Sequence, residues 1–232
     1  RSQLNEEALD VLAAYGLAVE TPRSAATAQE AVAIARALGY PVAMKVRSPQ
    51  ISHKSDVGGV ELNLSNDRAV ASAFRRIVAN AKRHCPEAEV LGVTLQRMVS
   101  GGQEVIIGSK WDAQFGQVIM FGLGGTLVEL FKDVSFRLVP EGGLTRREAL
   151  DMLDEVKASR LLRGFRGGEP ADVEAVVDAL LRVSRLAADF PELAELDVNP
   201  LIVFGVGRGC RVVDARLFLR RPAPVNGTPK QV

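Results

Sequence analysis

Glu195-Leu-Asp-Val-Asn-Pro-Leu201 and Arg211-Val-Val-Asp-Ala215 are the two stretches whose reading decides the fold. They read as the arms of a hairpin, from Leu196 to Phe204 and from Cys210 to Phe218. If it folds symmetrically about Val206 and Gly207, position 199 stands opposite position 214. Asp197 is two residues before Asn199, so its side chain lies on the same face. Three oxygen-bearing side chains, Asp197, Asn199 and Asp214, then converge in an otherwise apolar hairpin. Mg²⁺ takes oxygen ligands, usually one or two carboxylates completed by phosphate and water. The same spacing also allows a plain solvated face, with Asp197 across from Arg216 as a surface ion pair of little worth.

Outward from the hairpin, the second half of the chain is rich in strands. Val90 to Val99, Glu104 to Gly108, Gln117 to Phe121 and Phe136 to Pro140 read as extended, separated by short polar or glycine-rich turns. Thr145-Arg-Arg-Glu148 is a capping box that opens a helix to about Ser159. Val173, Val177, Leu180, Leu181 and Ser184 mark another, ending near Phe190-Pro191. In the first half, the capping box Thr27-Ala-Gln-Glu30 precedes Ala31, Ile34 and Leu38 on one helical face, and Gly39 stops that helix. Val42 to Val46 and Val60 to Leu64 read as strands around a loop from Ser48 to Gly59. Val70, Phe74, Ile77, Val78 and Ala81 form an amphipathic helix.

Ser100-Gly101-Gly102 is the candidate hinge. The expected organisation is α+β, with one lobe over residues 1–99 including a preceding helix, a second over 100–221, and a loose tail over 222–232. Two such lobes would leave a cleft between them.

The 232 residues suffice for such a core. The net charge of +1 and the 5% aromatic content give no field or stacking surface that points to nucleic acid. Two cysteines make no secreted disulfide framework, so a reducing cytoplasm is expected. No apolar run approaches the roughly 20 residues of a spanning helix. The chain begins at Arg1 rather than Met, as a piece of a longer polypeptide would.

Chemistry gathers in three further places. In the loop Ser48-Pro-Gln-Ile-Ser-His53-Lys-Ser-Asp-Val-Gly58-Gly59-Val60, paired glycines allow close backbone approach, and Lys45 and Lys54 supply charge for phosphate oxygens. The His53 imidazole can take a phosphoryl group as a covalent nucleophile. The other histidine, His84, sits at a helix C-terminus, where the dipole explains it. The run Leu95-Gln-Arg-Met-Val99 before the glycine link offers an apolar slot with backbone donors and acceptors for an adenine ring, and Glu104 can accept from ribose hydroxyls. Phe121-Gly-Leu-Gly-Gly125, followed by Glu129, Asp133 and Arg137, lacks the dinucleotide fingerprint. Walker A, zinc-cluster and nucleophile-elbow patterns are also missing from the sequence.

In order, Lys45, His53-Lys-Ser-Asp-Val-Gly-Gly-Val60, Gln96-Arg-Met-Val99 with Glu104, Phe121-Gly-Leu-Gly-Gly125, and Asp197-Val-Asn-Pro200 with Asp214 resemble the ATP-grasp β part of ADP-forming acyl-CoA (acetyl-CoA) synthetases. The resemblance runs from about Leu4 to Phe218. It implies the ATP-grasp fold, with a nucleotide cleft between two lobes, and ATP or ADP with Mg²⁺ as cofactors. It implies that Lys45 contacts the α/β phosphates and that Gly58 and Gly59, with Lys54 beside them, lie over the phosphates. Gln96 to Val99, with Met98 and Val99, would form the adenine hinge, although Leu95 stands where the family often has Glu. Glu104 would bind the ribose. Asn199 and Asp214 would hold the metal, with Asp197 close by, and His53 would be transiently phosphorylated. The implied reaction is acyl-CoA + ADP + phosphate = carboxylate + ATP + CoA, which needs a CoA-binding partner domain or subunit. The alternatives are a ligand-sensing domain fused to a protein lysine acetyltransferase, and another ATP-grasp carboxylate ligase that would not need His53.

Overall fold

The computed structural model describes residues 2–4, 6–51, 53–124, 133–164 and 168–220. The chain divides into two units. One comprises residues 20–100; the other joins residues 1–19 to residues 101–232.

In the unit of residues 20–100, four strands order as β2-β5-β3-β4, with β2 at Arg23–Ala25, β3 at Val42–Arg47, β4 at Val60–Leu64 and β5 at Gly92–Arg97. Every pairing between them is antiparallel. Helices α2 (Ala28–Leu38) and α3 (Asp67–His84) cover one face. Val42, Met44, Val46, Val93 and Leu95 alternate toward them and meet Ala31, Ala35, Val70 and Ile77 in the core. Thr27 caps α2 by accepting from the Glu30 N–H. Glu30 reaches back one residue further than the expected box, to the N–H of Ala26. Asn66 caps α3 by accepting from the Ala69 N–H.

Asp67, at the first turn of α3, ties the two helices together. It accepts from Arg36 of α2 and, at 2.6 Å, from the Tyr40 hydroxyl. Those two hydrogen bonds, Arg36 first, lower its carboxyl from 3.8 to about 2. A carboxylate depressed in the folded state contributes stability above its unfolded value and loses it as pH falls through the folded one. Acid should therefore weaken this unit between about pH 4 and pH 2. We expect Asp67→Asn to lower the melting temperature at neutral pH and to flatten its acid dependence in that window. Thermal melts from pH 2 to 6 check this; an unchanged acid slope in the variant rejects it.

In the other unit, seven strands form one sheet. The order is β1-β11-β9-β6-β7-β8, and β10 also pairs with β9. The strands are β1 (Ser2–Leu4), β6 (Gln103–Asp112), β7 (Gly116–Leu123), β8 (Val134–Leu138), β9 (Leu193–Val203), β10 (Cys210–Val212) and β11 (Ala215–Leu219). Helices α1 (Glu6–Ala14), α4 (Arg146–Glu155) and α5 (Val173–Asp189) contribute to its core. Leu180, Val183, Met152 and Leu12 pack there with Val105, Ile107, Ile119, Phe121, Leu196, Val198 and Leu217. Asp172 caps α5 through the Ala175 N–H and also accepts from the Gly209 N–H, which binds the tip of the hairpin to the helix.

Two expectations need correction. Residues 2–19 do not belong with the unit of residues 20–100: Leu4 pairs with Leu217, and Leu9 and Leu12 sit in the core of the larger sheet. The helix opened by Thr145 keeps its full capping box but ends at Glu155. Asp133 then accepts from the N–H groups of Lys157 and Ala158 and starts a separate 3₁₀ turn, Lys157–Leu161. The expected tail, 222–232, lies outside the described residues, as do Gly125 and Glu129. No helix among the described residues is long and apolar enough to cross a membrane.

Candidate functional site

The hairpin closes in the expected register. Cys210 faces Val203, Val212 faces Leu201, Ala215 faces Val198 and Arg216 faces Asp197. Between the two paired segments, the Asn199 N–H donates to the Asp214 carbonyl at 3.1 Å, and the Val213 N–H donates to the Pro200 carbonyl at 3.1 Å. Leu196, Val198, Ala215 and Leu217 point into the core, so Asp197, Asn199, Asp214 and Arg216 stand on the opposite, open face. Asn199 is exposed, while Asp197 and Asp214 are half-buried. Burial raises the Asp197 carboxyl above its ordinary range. Arg216 pulls it down, and Asp214 and Glu195 push it up further. The Asp214 carboxylate accepts from the Ala215 N–H at 3.1 Å.

Glu104 of β6 lies on the same open face, opposite Ile202 and one step before the core residue Val105. Its carbonyl accepts from the Gly124 N–H at 2.7 Å. A Cβ on Gly124 would come 2.8 Å from the Glu104 Cβ, so this glycine lets the chain lie flat against the strand. A cavity of about 390 Å³ opens on this face next to Asp197, floored by Gly108, Val118, Met120 and Phe136 and edged by Lys110. Sequence reasoning missed that cavity. Its signal was the alternation of Gly108, Lys110, Val118 and Met120 along two strands.

The phosphate-loop candidate lies in the unit of residues 20–100. Lys45 is half-buried on β3, opposite Thr94 and Val60, and faces away from the core side of its sheet. Val60 directly follows the turn that carries His53. The Gly58 N–H donates to the Ser55 carbonyl, the Gly59 N–H to the Lys54 carbonyl at 2.8 Å, and the Val46 N–H to the Gly59 carbonyl at 2.7 Å. Gly58 has φ +62°, and a Cβ at Gly59 would lie 2.6 Å from Val46 Cγ1, so both positions require glycine. His53 is exposed at the start of this turn, and Lys54 is half-buried.

Gln96, expected at the adenine hinge, lies on β5. The residue is 4% exposed, and its side-chain amide donates to the Glu20 carbonyl at 2.8 Å. It anchors β5 rather than presenting an open donor. The Met98 N–H is likewise taken, by the Pro41 carbonyl at 3.0 Å. Met98 and Val99 themselves are half-buried. Elsewhere, Arg137 pairs with Glu155 and Asp133 caps the 3₁₀ turn, so both have structural duties. The His84 ring nitrogen lies 2.9 Å from the Asn80 carbonyl at the end of α3, in keeping with a helix-end role.

A family profile described as an ATP-grasp domain matches residues 1–219. The chain belongs to the ATP-grasp family. Within it, the chain is 48% identical over 215 residues to the β subunit of ADP-forming acetate–CoA ligase II of Pyrococcus furiosus, covering 92% of this chain and 90% of that subunit. It is 49% identical over 216 residues to the ADP-forming 4-hydroxybutyrate–CoA ligase of Nitrosopumilus maritimus. There the ATP-grasp match covers 93% of this chain but spans only 30% of the longer protein. Acetyl-coenzyme A synthetase 1 of Candidatus Korarchaeum cryptofilum, solved with coenzyme A and Ca-AMPCP, superposes with a TM-score of 0.88 at 48% identity, covering 95% of this chain and 94% of that one. A second structure of that synthetase, with coenzyme A and Mg-AMPPCP, has its phosphohistidine segment pointing towards the nucleotide-binding site; its TM-score is 0.79 at 44% identity over the same coverage.

Proposed function

We propose that this chain is the nucleotide-binding part of an ADP-forming acyl-CoA synthetase, passing a phosphoryl group between His53 and ADP. The observation that carries this reading is the hairpin register, which sets Asn199 beside Asp214 with Asp197 on the same open face. Among the described residues, no group of three or more His, Cys, Asp or Glu side chains could hold a metal unaided. One amide and two carboxylates fall short of an all-protein cage, but they fit Mg²⁺, which keeps phosphate and water among its ligands. Asn199 and Asp214 would hold the ion and Asp197 would stand close to it. Bound there, the ion would neutralise charge on the phosphates.

The chain's own groups do the rest. Lys45, at the base of the glycine turn, would offset charge on the α/β phosphates, while the Gly58–Gly59 backbone and Lys54 lie over them. Met98 and Val99 would line the adenine with backbone and side chain, and the buried Gln96 would hold their strand in place. Glu104 would accept from the ribose hydroxyls. His53, exposed at the head of its turn, would carry the phosphoryl group. The N–P bond breaks as a P–O bond to the terminal phosphate of ADP forms, and the reverse step regenerates phosphohistidine.

A CoA-binding domain or subunit would supply the acyl chemistry; the greater length of the Nitrosopumilus ligase and the subunit naming of the Pyrococcus protein support that partner. Two half-buried, unbridged cysteines, Cys85 and Cys210, fit a cytoplasmic protein. The test supplies this chain with such a partner, acetyl-CoA, ADP, phosphate and Mg²⁺. We expect ATP to form only when both chains and the metal are present. A chain that binds neither ADP nor ATP in the presence of Mg²⁺ rejects the reading.

A further inference from the structure

The open face of the larger sheet carries charge in ordered rows. Glu104 opposite Ile202 forms the first row, Asn199 and Asp214 the second, and Asp197 opposite Arg216 the third. Along β9 the second row lies three residues, about 10 Å, from the first, and the third lies two residues, about 7 Å, beyond it. This row order matches the order of groups in a nucleoside triphosphate. A ribose at Glu104 and a metal-bound phosphate at Asn199 and Asp214 leave the terminal phosphate heading toward the third row.

Arg216 sits there in an unusual state. It is half-buried between the core residues Ala215 and Leu217 and directly faces the half-buried Asp197. No hydrogen bond or ion pair joins the two side chains, although each lies within the other's field. The surface ion pair that the spacing also allowed is not made between these two side chains. A partly desolvated arginine with no hydrogen bond to another described residue is suited to bidentate recognition of an anion such as phosphate.

We propose that Arg216 contacts the transferable terminal phosphate of ATP and makes no contact with ADP. The assignment rests on the nucleotide reading above and adds to it a residue that tells the two nucleotides apart. Asp197, which faces Arg216, also feels the carboxylates of Asp214 and Glu195. The Arg216 guanidinium offsets part of that negative charge toward an incoming phosphate.

The test measures Mg²⁺-ATP and Mg²⁺-ADP affinity by calorimetry for this chain and for Arg216→Gln and Arg216→Lys, with a thermal melt of each. We expect Arg216→Gln to weaken ATP about tenfold or more while ADP changes less than about twofold, on the scale of one lost charge-assisted contact. Arg216→Lys should recover part of the ATP affinity, because a point charge replaces the fork. Equal losses for the two nucleotides, or no loss for either, overturn the assignment while leaving the nucleotide site standing. If Arg216→Gln melts before binding can be read, Arg216→Lys decides by the same ATP-to-ADP ratio. A native chain that binds neither nucleotide fails the nucleotide reading and takes this assignment with it.

Discussion

His53→Ala is expected to abolish covalent labelling of the chain by γ-labelled ATP and Mg²⁺. Phosphohistidine is acid-labile and base-stable, so the native chain should show label that acid removes and base spares. The variant should show none while still binding ATP, because His53 is exposed and lies outside both cores. With a CoA-binding partner present, acyl-CoA-driven ATP formation should fall by about a thousandfold or more, the scale lost when a covalent nucleophile is removed. Its melting temperature should stay within the small range typical of surface substitutions. Equal labelling of the variant would refute the carrier role and favour a ligase that activates a carboxylate directly.

The second large effect belongs to the hairpin. Asn199→Ala and Asp214→Ala should each weaken Mg²⁺-dependent nucleotide binding by about tenfold to a hundredfold, a loss seen even when only the groups behind metal ligands are removed. Binding measured in chelator should change little, since the native chain then lacks the ion too. Both side chains face away from the core, so the fold should survive; circular dichroism and a melt check that. If the variants lose affinity equally with and without Mg²⁺, the pair serves the nucleotide and holds no metal.

Much of this was legible in the residues. A strand's side chains repeat every two positions, and a short turn sets the pairing. The opposition of Asn199 to Asp214 could therefore be read from spacing and was found in the register. Capping residues are equally local: Thr145 with Glu148, and Thr27 with Glu30, act within one helical turn. The role of His53 is different. Its exposure on a glycine turn is compatible with many uses, and only the surrounding motif points to phosphate.

Sequence alone thus determined the periodic elements, the hairpin register and the ATP-grasp pattern, because each depends on neighbours within a turn or along one strand pair. Tertiary structure decided what depends on distant partners. Leu4 pairs with Leu217 across most of the chain, which moves the first nineteen residues into the larger unit. Gln96 is spent on the carbonyl of Glu20, 76 residues away. Asp197 faces Arg216 by register, and its carboxyl is set by burial, Arg216, Asp214 and Glu195 together. Burial and electrostatic balance are sums over residues far apart in the chain, and no local spacing encodes them.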